Sequence, residues 1–133
     1  MSYLRSESED GDIHCALVMA KARVAPVKQV TVPRLELNAA TVAVRVNTMI
    51  QHELEIPVNK TVFWTDSMTV LRYINNEAAR FKTFVANRLE VLRDGSQASQ
   101  WRYVPTKDNP ADDSSRGLSI DQFLKTDRWL RGP

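Results

Sequence analysis

Sulfur and imidazole are scarce in this chain. One cysteine (Cys15) and two histidines (His14 and His52) among 133 residues exclude a disulfide framework and a cysteine-rich zinc site, and suit a reducing, intracellular setting. Long apolar runs are lacking too. Every one falls well short of the ~18 residues that a membrane helix needs, and Met1 to Arg5 is too short and too polar for a signal peptide. No repeat, low-complexity tract or second domain breaks up residues 1–133, so a single α/β domain is expected, long enough to bury about 68% of its unfolded surface. A marked excess of one charge is also missing: 18 basic against 16 acidic residues leave a net +2. That balance permits nucleic-acid binding without demanding it, since dedicated binders are often more basic.

What is present has a clear organising stretch, Thr61-Val62-Phe63-Trp64-Thr65-Asp66-Ser67. Five β-branched, aromatic or apolar residues run into an Asp-Ser pair, and Met68 to Asn75 then follows a helical pattern. The reading is a buried strand at 61–65 that leaves Asp66 at its C-terminal end, where α/β sheets hold ligands. Upstream, Tyr3-Leu4-Arg5 reads as part of a strand, Ser6 to Gly11 as a polar hairpin loop, and Ile13 to Arg23 as a second strand apolar on both faces. A strand of that kind belongs inside a covered sheet. Pro26 interrupts the connector at 24–30. Thr31-Val32-Pro33 opens a long helix ending near Glu53, with Leu35, Ala39, Val42, Val46 and Met49 along one stripe and Leu37 and Val44 beside it. So wide a stripe predicts packing on a sheet. Phe81, Phe84, Val85, Leu89 and Leu92 mark a helix over 80–93, Trp101 and Tyr103 a short strand, Asp112 and Asp113 a helical turn, and Ser119 to Leu124 a last short helix. Trp64, Trp101, Phe81 and Phe84 read as core. Residues 125–133 read as the start of a linker toward a following region.

Three acids occupy comparable places in this layout. Glu36 lies early on the long helix, Asp66 ends the strand, and Asp112 begins the turn after the last strand. Crossover geometry gathers such element ends on one sheet edge, and converging carboxylates with few histidines suit hard cations such as Mg²⁺ or Mn²⁺. Each acid also has a plainer reading. Glu36 can be a helix-start charge, and Asp66 and Asp112 can be N-caps.

Five blocks then match a known pattern in order: Val24 to Lys28, Thr31 to Leu37, Trp64 to Ser67, Phe81 to Arg88, and Val104 to Asp112. Together with Ser115-Arg116-Gly117 and Trp129 to Pro133, they resemble the ribonuclease H-like domain of BEL/Pao retrotransposon polyproteins over essentially the whole chain. The resemblance implies a mixed sheet flanked by helices, and two-metal hydrolysis of the RNA strand of RNA–DNA hybrids during reverse transcription. It implies Glu36, Asp66 and Asp112 as catalytic and Mg²⁺- or Mn²⁺-binding residues, with Asp113, where the family has an apolar residue, as understudy to Asp112. It also implies a first Asp on a central strand just upstream of Tyr3, which this sequence lacks. The expectation is therefore direct pairing of its two neighbouring strands, a gap filled by another chain such as a second copy, or marginal stability.

For the hybrid, contacts would go to phosphates and the RNA 2′-hydroxyl. Arg34, Lys82, Arg88 and Lys107 are the candidates, each with solvated-face packing as its plainer role. Expected partners are the hybrid and the parent polyprotein, with its reverse transcriptase and integrase regions, in a cytoplasmic retroelement particle and without a membrane. Three functions stand at this point: a metal-dependent endoribonuclease, a catalytically inactive remnant that binds nucleic acid or a polyprotein partner, and a domain reused purely for protein contacts, with its basic helices as coincidence.

Overall fold

The computed structural model describes residues 1–22, 31–76 and 83–131. Arg23, the connector at 24–30 with Pro26, Phe81 and Lys82 lie outside the described residues. The chain divides into two compact units: Ala25–Val104, and Met1–Val24 together with Pro105–Pro133.

The continuous unit begins with the 22-residue helix α1, Val32–Glu53. Thr31 starts it through its backbone, its carbonyl accepting from Arg34 N and Leu35 N at 3.1 Å each. Pro33 sits in the first turn, where a missing N–H leaves no helical bond unmade. The buried stripe is Leu37, Ala40, Thr41 and Val44, the i, i+3, i+4, i+7 rhythm of one helix face. This corrects the sequence reading, whose main stripe included Ala39 and Met49; both are exposed. The apolar band of α1 is wide enough to hold two adjacent stripes, and only its neighbours decide between them. Thr41 is tolerated inside because its hydroxyl donates to the Asn38 carbonyl at 2.7 Å.

Strand β3 (Phe63–Thr65) pairs in parallel with β4 (Trp101–Tyr103), Phe63 opposite Trp101. Parallel partners need a crossover, and helices α2 (Met68–Asn75) and α3 (Thr83–Gly95) lie between the two strands in sequence. Phe63 and Trp101 stack with centroids 4.7 Å apart, and Leu37, Ala40, Val44, Val70, Ile74, Leu89 and Leu92 join them in one core cluster. The main neighbour of α1 is α3 rather than a sheet. Their approach is close at Gly95, where a Cβ would stand 2.2 Å from Val44 Cγ1. Trp64, expected in the core, is 54% exposed. Alternation explains it: Phe63 takes the inward side of a three-residue strand, so Trp64 takes the outward one.

The second unit opens with the antiparallel hairpin of β1 (Ser2–Glu7) and β2 (Ile13–Met19). Its turn closes through Ser8 N to the Asp12 carbonyl at 2.8 Å and Gly11 N to the Ser8 carbonyl at 3.0 Å. Gly11 adopts φ of 85°, which costs a glycine little. Strand β2 stops at Met19, short of the expected Arg23. Cys15, Leu17 and Met19 are half-buried while Ala16 and Val18 are exposed, so it is covered on one face, not two. Helices α4 (Ala111–Arg116), α5 (Ile120–Lys125) and α6 (Arg128–Arg131) complete the unit. The segment read as the start of a linker thus carries α6, which packs on β2 and accepts the Tyr3 hydroxyl at the Trp129 carbonyl, 2.8 Å away. Burial, above all, pushes the Tyr3 phenol up to about 12. The architecture is α/β, and among the described residues the two ladders are separate.

Candidate metal centre

The site is built outward from Ser67. Its hydroxyl oxygen accepts from Val70 N at 3.1 Å, capping α2, and its proton is donated to Glu36 Oε2 at 2.6 Å. The backbone N–H of Ser67 in turn donates to Thr65 Oγ1 at 3.1 Å, which turns the chain sharply out of β3. Ser67 is 4% exposed, so both bonds are shielded from competing water. A single buried hydroxyl thus ties the first turns of α1 to the β3–α2 junction. Asp66, half-buried, immediately precedes it at the C-terminal end of β3.

Two plainer readings fall to this geometry. The cap of α2 is Ser67, so Asp66 is not there as an N-cap. No acidic residue occupies the first turn of α1, and Glu36 sits in the second. The helix dipole falls off within one turn, so it does not account for Glu36. Instead the structure brings Glu36 and the Asp66–Ser67 pair to one edge of the continuous unit.

Asp112 belongs to the other unit. It lies in the first turn of α4, whose N-cap is Pro110, and its N–H donates to the Asn109 carbonyl at 3.1 Å. Its neighbour Asp113 has a separate task. Arg128 grips it in a forked pair, Nε to Oδ2 at 2.8 Å and Nη2 to Oδ1 at 2.6 Å, and also donates to the Lys107 carbonyl. Those hydrogen bonds hold the Asp113 carboxyl below its ordinary range and raise the Arg128 guanidinium. Arg128 therefore fastens α4 and the preceding loop to α6.

The basic candidates separate. Arg34 on α1 and Arg88 on α3 meet at the same ring, Phe84, with Cζ atoms 4.6 and 3.9 Å from its centroid. Arg88 Nε also donates to Asn38 Oδ1 at 3.2 Å. Lys107 is exposed in the other unit, and Lys82 lies outside the described residues. His52 sits about 24 Å along α1 from Glu36 at 1.5 Å per residue. Sequence reasoning missed the roles of Ser67, Asn38 and Arg128. Only Ser67 carried a signal, its position directly after Asp66 and before a helix.

Chemically, the edge offers hard oxygen donors. Among the described residues no three His, Cys, Asp or Glu side chains form a ready-made metal cage. Magnesium does not require one; it usually keeps several waters and binds through one or two carboxylates plus substrate phosphates. Glu36 and Asp66 fit that demand. Among the described residues no helix is long and apolar enough to cross a membrane.

A search of curated proteins and of solved structures finds no match to the chain. A family model described as the Pao retrotransposon-like RNaseH-like domain matches residues 1–67. That span takes in β1, β2, α1 and β3, and with them Glu36, Asp66 and Ser67. With half of the chain matched and the α/β architecture in agreement, the fold is RNase H-like and the chain belongs to the Pao retrotransposon-like RNaseH-like domain family.

Proposed function

We propose that this retroelement domain hydrolyses the RNA strand of RNA–DNA hybrids with bound Mg²⁺ or Mn²⁺, and that Glu36, Asp66 and Asp112 are the ligands. The observation that carries the reading is the Ser67 hydroxyl between α2 and Glu36, which gathers two of the three acids at the end of β3. A divalent ion there would supply Lewis acidity at a phosphodiester and lower the pKa of a bound water. The protein's own part is to hold two carboxylates rigidly. Ser67 occupies one lone pair of Oε2 and fixes the Glu36 rotamer, while Asp66 is relieved of capping.

The second reading, a non-catalytic nucleic-acid binder, draws on the absence of a three-acid cluster among the described residues. The deciding test is cleavage of a labelled hybrid with Mg²⁺ or Mn²⁺ by the wild type, Glu36→Gln, Asp66→Asn and Asp112→Asn. The hydrolase reading predicts cleavage by the wild type alone. A wild type that binds hybrid but never cuts it, or a cut that all three variants retain, sinks that reading. Calorimetric Mn²⁺ titration supplies a readout without turnover: the wild type should give heat that Asp66→Asn does not.

A further inference from the structure

We infer that the cleft bordered by Lys60 and Arg102, at the end of the continuous unit away from Glu36 and Asp66, binds a phosphate monoester: a mononucleotide, or the phosphorylated end of a nucleic-acid strand. The inference is independent of the acids and of the reaction proposed for them.

The cleft has a volume of about 470 Å³, within the range of roughly 300–1,000 Å³ of small-molecule sites. It lies where α1 ends and where the stretches leading into β3 and β4 begin. Gln51, on its wall, stands roughly 22 Å along α1 from Glu36 at 1.5 Å per residue. Hydrogen bonds tie the three walls together. Gln51 Nε2 donates to Thr61 Oγ1 at 2.9 Å, and Gln100 Nε2 donates to the Thr61 carbonyl at 3.4 Å. Gln100 is itself held, its Oε1 accepting from Gln97 N at 2.7 Å. The cleft is thus formed before a ligand arrives, which lowers the ordering cost of binding. Because Thr61 Oγ1 already accepts, its own proton is left to donate.

Charge selects the ligand. The lining carries two cations, Lys60 and Arg102, and no carboxylate. Among the described residues neither cation is in an ion pair. The acids nearest in sequence, Glu53 and Glu55, are exposed and outside the lining. Arg102 is oriented through Nη1, which donates to the Trp101 carbonyl at 3.2 Å and to the Ser99 carbonyl. That leaves Nε and Nη2 as the fork for an oxyanion. Two positive charges are matched by a phosphate monoester, which carries about −1.5 to −2 at pH 7; a backbone phosphodiester or a carboxylate carries half as much. The cleft therefore favours a terminal phosphate over the strand's backbone. Gln51 and Asn59, whose amides both donate and accept, and the apolar Val58 border the remaining space, where a nucleoside would lie.

The test follows amide NMR shifts of the chain titrated with adenosine monophosphate, in EDTA and without phosphate buffer. Saturable shifts are expected at Asn59, Lys60, Thr61 and Arg102, and none at Asp66 or Ser67. Lys60 is exposed, so Lys60→Gln should leave the fold intact and weaken binding about tenfold, the scale of one charge-assisted hydrogen bond. Arg102→Gln should weaken it at least as much, and Arg72→Gln, an exposed position on α2, should match the wild type. Adenosine should not bind, and cyclic adenosine monophosphate, a diester, should bind more weakly than the monoester. Affinity should rise as pH climbs through about 6, where the monoester gains its second charge; protonation of the neighbouring His52 would act in the opposite sense. A short RNA with and without a 5′-phosphate distinguishes the two sources. Preference for the phosphorylated end, with shifts at the same residues, assigns the cleft to strand ends; no preference, with the mononucleotide still bound, assigns it to free nucleotides. The inference is overturned if the mononucleotide shifts none of these residues, if adenosine binds as well, or if folded Lys60→Gln and Arg102→Gln keep wild-type affinity.

Discussion

Ser67→Ala is the most informative single change, because one hydroxyl makes two bonds that differ in kind. Losing the cap on Val70 N costs about 1 kcal/mol. Losing a hydrogen bond to a charged acceptor costs about 1.5–3 kcal/mol. Glu36 is only half-buried, so water regains part of the second term, and the expected total is about 2–3 kcal/mol. For a chain of this length that lowers the melting temperature by roughly 8–12 °C. Urea unfolding followed by the fluorescence of Trp101, which is buried in the same core, reads the loss in the continuous unit. A cycle with Glu36→Ala separates the terms: the cap should survive in the Glu36→Ala background, so Ser67→Ala should cost only about 1 kcal/mol there. The coupling energy should exceed 1 kcal/mol. Additivity within about 0.5 kcal/mol, the behaviour of independent sites, would refute the claim that Ser67 links helix start and strand end.

Three further changes test other parts of the structure. Gly95→Ala should raise helix propensity yet destabilise by about 1–3 kcal/mol, because the new Cβ meets Val44 Cγ1 in a well-packed core; adding Val44→Ala should make Gly95→Ala close to neutral or stabilising in thermal melts. Asp113 is held below its ordinary pKa by Arg128, so its contribution is full above about pH 4 and fades as pH falls through the lowered value. Acid melts of Asp113→Asn should therefore start from lower stability at pH 7 and converge on the wild type in strong acid. Tyr3 runs the other way: raised from 10 to about 12, it stabilises fully below pH 10 and loses that contribution as pH climbs toward 12. Alkaline unfolding of Tyr3→Phe should lack this limb.

Legibility in the sequence followed the range of the forces involved. Helix α1 was readable almost to the residue, since Thr31, Pro33 and the apolar rhythm are local signals, as was the Ser67–Asn75 unit. The inward stripe of α1 was not, because the band of apolar residues fits two faces and the choice belongs to α3. Trp64 misled for a related reason. A strand of aromatic and β-branched residues looks buried on both sides, yet a two-stranded ladder has only one covered face. At the site, Glu36 and Asp66 were legible as acids at element ends. The hydroxyl that joins them was not, since a residue 31 positions away in sequence sets its role. The convergence of Arg34 and Arg88 on Phe84 depends on interhelical register, which no single-helix pattern encodes.

The discontinuous unit has a consequence for the order of events during synthesis. Its hairpin leaves the ribosome before the rest of the unit, but the Trp129 carbonyl that receives the Tyr3 hydroxyl is 126 residues away. At about 5–20 residues per second, the hairpin waits roughly 6–25 s with its α6-facing side uncovered. The continuous unit, whose strands and helices all lie between residues 25 and 104, is complete well before then. Folding of these residues is thus expected to run from the continuous unit outward, and the hairpin, made before its α6 cover, is among the last parts to be secured. A nascent chain stalled before Arg128 would present a folded centre and an unsealed hairpin, the part of the molecule most exposed to chaperones and to strand-to-strand aggregation.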